Sequence, residues 1–488
     1  MDKMILKGFF HFSIGPLLSA IISLITTPIT TFLILPSEFG KASMYSVALF
    51  LIMQIVLLGT DQSFIRFFYQ TTSEKRTTIF WNTLLPPLIM SFIVSSIIIL
   101  FRAKVSYLLF GDADHIFPVI ILCFSIVFSV LSRFSALILR MKKRGVAYSI
   151  VNISGSIINA SCVILFAFLL EGSFYAIILS SFFGTLTVII ISILLEIGFW
   201  RSQFKISLGQ IKKNIFYGVP FVPAFLISWL FESMDKLALR SFSTFDEIGL
   251  YTAGNKITAV LMIVQTGFST FWWPVALENY ESAKSKNLYS KAAELLSGIL
   301  FLVAFITIAL KDVIILILAK GYLPSSKIMP FLLFHPLMYT VSEVTVVGIN
   351  FKKRTYWHVV ISLISAGVNF IGNYFFVPLY GAKGAAFSTG IAYIVFFFMR
   401  TLISTSIYPV DYSLKRFTFG TIVLFIVSLI NTFSGILLIE QVSAIIGGVI
   451  IGLVYRNEIS YTYKTVVGIY KEVIGKRKLE RENQKKEL

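Results

Sequence analysis

Residues 143–159 read KRGVAYSIVNISGSIIN, and residues 353–369 read KRTYWHVVISLISAGVN. A basic pair, an apolar run of helical length and an asparagine recur in both at an offset of 210, with no gap between them. Each run leads to a tight turn, Glu171-Gly172 after the first and Tyr380-Gly381 after the second. Two more matches keep nearly the same offset. Ser37-Glu38-Phe39-Gly40 pairs with Asp246-Glu247-Ile248-Gly249 at 209, and Pro16 with Pro223 at 207. Each match is short, but their common order and spacing imply that the chain is an internal duplication. The predicted fold is an all-α polytopic membrane protein with a six-helix lobe at residues 1–205 and another at 206–405. Both lobes begin at the same membrane face, so they are parallel repeats about a pseudo-two-fold axis along the membrane normal. Transporters built this way hold substrate between lobes and rock the lobes against each other. Two further helices in 406–460 and a basic tail in 461–488 lie outside the repeat.

Composition agrees. Of 488 residues, 57% are apolar and only 14% charged, against about 45–50% and about 25% in a soluble domain. The mean hydropathy is +0.85. Disorder and a disulfide scaffold are excluded, the latter because Cys123 and Cys162 both sit in apolar runs. Long continuous apolar runs argue against an outer-membrane barrel, whose strands alternate. About 20 apolar residues make one span, and fourteen are predicted, with twelve as the alternative because 417–433 and 435–455 are short. The net charge of +18 does not signal nucleic acid. The basic residues come in small clusters between apolar runs, 31 of the 42 on one side and 8 on the other. That bias predicts both termini in the cytoplasm. The tail is expected to touch anionic lipid headgroups. Outer loops are too short to fold on their own, so substrate has to be handled within the membrane.

Charges inside spans are costly and mark cavities or partners. Asp61, Arg133, Lys256, Glu343 and the group Glu232, Asp235 and Lys236 fall inside predicted spans, with Arg66 near the end of helix 2. Structural readings stand beside functional ones. Glu232 and Lys236 are spaced i, i+4 and can neutralise each other; Lys236 and Lys256 can snorkel to the interface; Arg66 can be interfacial; Asp61 can pair with a nearby cation. His11, His115, His335 and His358 are scattered without metal-ligand spacing. No phosphate-binding loop, serine-hydrolase elbow or dinucleotide fingerprint is present, so neither catalytic residues nor a cofactor are predicted.

Short motifs then carry a family resemblance. The segments Leu58-Gly59-Thr60-Asp61-Gln62-Ser63-Phe64-Ile65-Arg66, Tyr217-Gly218-Val219-Pro220-Phe221-Val222-Pro223, Met234-Asp235-Lys236 and Phe271-Trp272-Trp273-Pro274 resemble those of Wzx-type oligosaccharide flippases. So do Asn369, Asn373, Pro378, Gly381 and Gly384-Ala385-Ala386. The flippases belong to the multidrug/oligosaccharidyl-lipid/polysaccharide exporter superfamily, with lipid II flippases and drug/cation antiporters. The resemblance implies ion-coupled, alternating-access transfer of an undecaprenyl-pyrophosphate-linked oligosaccharide. Transfer would run from the inner to the outer leaflet of a bacterial cytoplasmic membrane, for cell-surface polysaccharide such as O-antigen. Its expected partners are that lipid-linked oligosaccharide, membrane lipids and other polysaccharide-assembly membrane proteins. On this reading Arg66, Arg133, Lys236 and Lys256 bind pyrophosphate, a compact anion suited to cations in a low-dielectric cavity. Asp61 and Glu343 are the candidates for carrying H⁺ or Na⁺. The alternative is a drug/cation antiporter of the same superfamily; fourteen helices favour the flippase, because the antiporters resemble twelve-helix bundles.

Overall fold

A computed structural model of the chain describes residues 3–278 and 285–460. The predicted basic tail at 461–488 and Lys284 of the preceding basic cluster lie outside the described residues, as do the side chains of Lys3, Lys7, His11, Phe271 and Pro274. The described residues are helical, with no strand among them. The helices begin with α1 (Lys3–Leu33), α2 (Pro36–Val56), α3 (Thr60–Phe68), α4 (Arg76–Leu100), α5 (Arg102–Phe110), α6 (Ile116–Met141) and α7 (Gly145–Leu169). They continue with α8 (Tyr175–Leu195), α9 (Ile197–Trp200), α10 (Leu208–Gly218), α11 (Val222–Phe242), α12 (Phe245–Thr258), α13 (Val260–Glu278) and α14 (Ser285–Ile314). The last are α15 (Met329–Leu332), α16 (Phe334–Thr345), α17 (Val347–Phe351), α18 (Tyr356–Tyr380), α19 (Ala382–Ile407), α20 (Leu414–Phe433) and α21 (Leu437–Val454).

Among the described residues, 12 helices are long and apolar enough to cross a membrane, where fourteen are expected from the sequence. The other two predicted spans, 248–272 and 328–350, are interrupted. One breaks at Ala259 between α12 and α13; the other is cut at Leu333 and Val346 into α15, α16 and α17. Asp246, Glu247 and Lys256 lower the hydropathy of α12, and Pro330 and Pro336 withdraw backbone donors from the second. The predicted helix 41–66 is also two pieces. Leu58 and Gly59 have φ of 49° and 65°, and α3 starts immediately before Asp61. Glycine is needed there because a Cβ on Gly59 would lie 2.1 Å from the carbonyl oxygen of Gly218 in α10. The predicted seventh helix passes through a 3-10 turn at Val219–Phe221, which holds Pro220 and precedes Pro223.

The chain forms two compact units. The first contains Met1–Ile263, Ile315–Ile328 and Ser362–Ala392. Two carboxylates in it stand at repeat-related positions and do the same work. Glu38 Oε2 accepts from the amide of Phe174, 2.9 Å away at the start of α8, and Glu247 Oε2 accepts from the amide of Ala382, 2.7 Å away at the start of α19. Each satisfies a helix N-terminus that has no partner of its own and favours negative charge. The glycines before those helices, Gly172 and Gly381, both have positive φ, 75° and 54°. Helices α2 and α12 cross backbone to backbone. A Cβ on Gly40 would lie 2.0 Å from the Phe245 carbonyl oxygen, and one on Gly249 would lie 1.9 Å from that of Pro36.

The second unit contains Val264–Ile314, Met329–Ile361 and Tyr393–Leu488. Phe417 stacks on Phe397 at 4.1 Å between ring centroids and meets Phe301 at 5.2 Å. Lys311, expected at an outer interface, is instead fully buried, 2.9 Å from the equally buried Glu440 of α21 and 2.7 Å from Asp312. The sequence position of Lys311 at the end of an apolar run concealed an ion pair between α14 and α21.

Candidate functional site

The first unit encloses a cavity of about 550 Å³ whose wall draws on α1, α2, α6, α7, α8, α11 and α12. The sequence places small polar residues on the inward faces of these apolar helices, including Ser23, Thr27, Ser43, Asn152, Asn159 and Ser180. Lys236 and Lys256 reach the same cavity. Lys256 holds its Nζ 4.7 Å from the centre of the Phe39 ring, a cation–π contact. Among the described residues neither lysine forms an ion pair, and the Glu232–Lys236 pairing allowed by i, i+4 spacing does not form. The cavity wall thus combines two cations with neutral hydroxyls and amides, a chemistry complementary to anions and to hydroxyl groups.

A second cavity, about 460 Å³, adjoins the first and shares Ser132 and Thr185 with it. Asp61 and Arg133 line it. The break before α3 positions Asp61 on the first turn of that helix, 2% exposed, and Arg133 from α6 donates to its Oδ2 from Nη2 at 2.9 Å and from Nε at 3.2 Å. The amide of Gln62 supplies a further bond to Oδ1 at 2.9 Å. Arg133 keeps 46% of its side chain exposed, so the guanidinium can take a second anion while it still holds Asp61. Of the six residues singled out from the sequence, four therefore line two adjoining cavities. Arg66 is exposed on α3 and lines neither cavity.

Glu343 belongs to the second unit. Its Oε1 accepts from Arg400 Nη1 at 2.9 Å and its Oε2 from Trp273 Nε1 at 3.2 Å. Arg400 also donates to Ser342 Oγ at 2.7 Å. Arg400 is 6% exposed, held inside by the carboxylate.

The sequence assigned no role to Asp235, yet the first unit builds a complete polar shell around it. Tyr251 Oη and Thr389 Oγ1 donate to its Oδ2 at 2.6 and 2.7 Å. Asn373 and Asn369 donate to its Oδ1 at 2.9 and 3.2 Å. Asp235 is 5% exposed, and among the described residues no cation pairs with it. The buried Oδ1 of Asn373 beside it has no hydrogen-bond partner. A buried carboxylate held only by neutral groups, next to an unused amide oxygen, fits a proton or a small hard cation. The signal was present in the sequence, since Met234-Asp235-Lys236, Asn369 and Asn373 all belong to the resembling motifs.

The family model described as "Polysaccharide biosynthesis protein" matches residues 5–280. Among solved structures, a lipid II flippase in an inward closed conformation superposes with a TM-score of 0.70 at 18% identity, over 93% of this chain and 99% of that one. An inward-facing multidrug resistance transporter of the MATE family gives 0.62 at 13% identity, over 80% of this chain and 95% of that one. A MATE transporter of Vibrio cholerae gives 0.55 at 14% identity, over 83% and 96%. No curated protein sequence matches the chain.

Proposed function

We propose that this chain, which belongs to the polysaccharide biosynthesis protein family and has the fold of flippases and transporters, moves a polyprenyl-pyrophosphate-linked oligosaccharide across a bacterial cytoplasmic membrane. The observation that carries the reading is the hydroxyl-lined cavity with the unpaired Lys236 and Lys256, open to the Arg133 cavity. Sugar hydroxyls would exchange hydrogen bonds with the serines, threonines and asparagines. The pyrophosphate would be passed between Arg133 and the two lysines, each step replacing solvent with a fixed cation. Each cavity falls within the size of ordinary ligand sites, about 300–1,000 Å³, and together they would take the headgroup while the prenyl chain remains in lipid.

Coupling would use a monovalent cation, H⁺ or Na⁺. Asp61 and Glu343 are each already held by an arginine, so Asp235 is the better carrier. The drug/cation antiporter draws on the same fold. Its cationic substrate would meet Lys236 and Lys256 at close range in a low-dielectric cavity, where like charges repel strongly, and this disfavours it.

The test is a deletion strain in which the leaflet holding the lipid-linked oligosaccharide is read with a membrane-impermeant glycan-modifying probe on right-side-out vesicles. Accumulation of protected intermediates, cleared by restoring the gene, is the expected result. Normal exposure of the glycan, together with new sensitivity to cationic drugs, would replace the flippase with the antiporter.

A further inference from the structure

Between α6 and α7, the turn Lys142-Lys143-Arg144 borders two adjoining spaces in the first unit. One is a pocket of about 570 Å³ lined by Tyr69, Arg76, Lys142, Lys143, Arg144 and Glu196. The other is a groove of about 410 Å³ between α7 and α8 that shares Lys143 and Arg144 and continues along Val146, Ile150, Ile191 and Leu195. Glu196, 6% exposed, pairs with both Lys142 and Arg144, the latter at 2.6 Å. One buried carboxylate thus fixes two cations in place. Lys143 and Arg76 form no ion pair among the described residues. They frame Tyr69 instead, with Lys143 Nζ 5.9 Å and the Arg76 guanidinium 5.7 Å from its ring centre. Four cations against one carboxylate leave the pocket net positive. The first turn of α7, whose amides lack helical partners, opens beside it.

The turn itself is strained. Lys143 has φ of 57°, at the point where α6 closes with Arg144 N bonded to Leu139 O at 2.9 Å. Glycine is the favoured residue at such a helix end, and a lysine there is retained at a cost.

We propose that these adjoining spaces bind one anionic phospholipid, its phosphate in the basic pocket and the start of an acyl chain in the groove. Charge complementarity and the continuity of a cationic pocket with an exposed apolar groove point to this occupant. Val146 and Ile150 are 52% and 50% exposed on α7, a helix long and apolar enough to cross a membrane. On the positive-inside orientation the lipid belongs to the cytoplasmic leaflet. Free phosphate shares the headgroup chemistry but leaves the groove unused.

The test is native mass spectrometry of the purified full chain in detergent, titrated with phosphatidylglycerol, with phosphatidylcholine of the same chains and with inorganic phosphate. Phosphatidylglycerol is expected to bind in preference to phosphatidylcholine and to resist displacement by inorganic phosphate. Lys143→Gly should weaken its binding about fivefold, the effect of one surface cation, with the melting temperature unchanged or raised. Arg76→Gln should weaken it similarly, and Ile150→Trp should lower it by filling the groove. Lys353→Gly, in the turn that repeats this one with φ of 54°, should leave it unchanged. Equal losses in Lys143→Gly and Lys353→Gly would reduce the effect to general surface attraction and overturn the site. Displacement by an equal concentration of inorganic phosphate would overturn the lipid as its occupant. If Lys143→Gly does not fold, Arg76→Gln and Ile150→Trp decide.

Discussion

Thr252 Oγ1 donates to Ser43 Oγ at 3.0 Å across a sequence separation of 209 residues, the same separation that relates Gly40 to Gly249. The touching residues keep the offset of the predicted repeat, and they lie on the line where α2 meets α12. Both hydroxyls also line the large cavity, so this line borders the proposed substrate path.

Gly249→Ala should destabilise the protein by about 1–3 kcal/mol, because the new methyl group has to displace the Pro36 carbonyl. Gly452→Ala, where a Cβ meets nothing within 4 Å, should be neutral or stabilising by about 0.5–1 kcal/mol in its helix. Thermal unfolding in detergent compares the two. Equal behaviour would refute the tight crossing.

Arg133→Ala should lower oligosaccharide translocation at least about tenfold, since the charge-assisted bond is lost and the buried Asp61 is left without its cation. Arg133→Lys should restore part of it, keeping the charge without the forked geometry. Vesicle-based transfer of lipid-linked oligosaccharide checks both. Equal rates in all three proteins would remove Arg133 from the path.

Lys236→Gln and Lys256→Gln should each weaken substrate binding, and the double variant should lose more than either. If the drug/cation reading were right, the same double variant would bind cationic substrates more tightly. Binding of a soluble pyrophosphate-sugar analogue and of a cationic dye distinguishes the outcomes.

Asp235→Asn should abolish the response of transport to an imposed cation gradient while preserving the fold, because an amide replaces the carboxylate within the same polar shell. Reconstituted vesicles given a proton gradient or a sodium gradient would also identify the ion. A variant that still responds to either gradient would exclude Asp235 as the carrier.

Lys311→Met alone should cost about 3–5 kcal/mol, since it removes the cation from the buried Glu440 carboxylate. Pairing it with Glu440→Leu should recover most of that loss. Melting curves of the two variants test the contribution of the pair.

The membrane class and the helical fold were legible because each rests on a local pattern, apolar runs of spanning length separated by short polar turns. The turn at Pro220 and Pro223 was local too, because proline withdraws a helix donor. The break at Leu58-Gly59 was not, because it depends on Gly218, far away in sequence. Charges were easier to find than to pair. Asp61 and Arg133 stand out individually, but their bond joins α3 to α6, and nothing local to Arg400 announces Glu343. Asp235 is visible as an in-span charge, but its role is not, because its shell is neutral. Asparagine, threonine and tyrosine in separate helices leave no charge pattern to read.

Most contacts in a helical bundle run through side chains, which can repack when a residue changes. The crossing at Gly40 and Gly249 is different. Neither helix can acquire a side chain there without displacing the other's backbone, because a Cβ would lie 2.0 or 1.9 Å from the facing carbonyl oxygen. The two positions are therefore a single constraint shared by α2 and α12, and no substitution at one can be compensated by a substitution at the other.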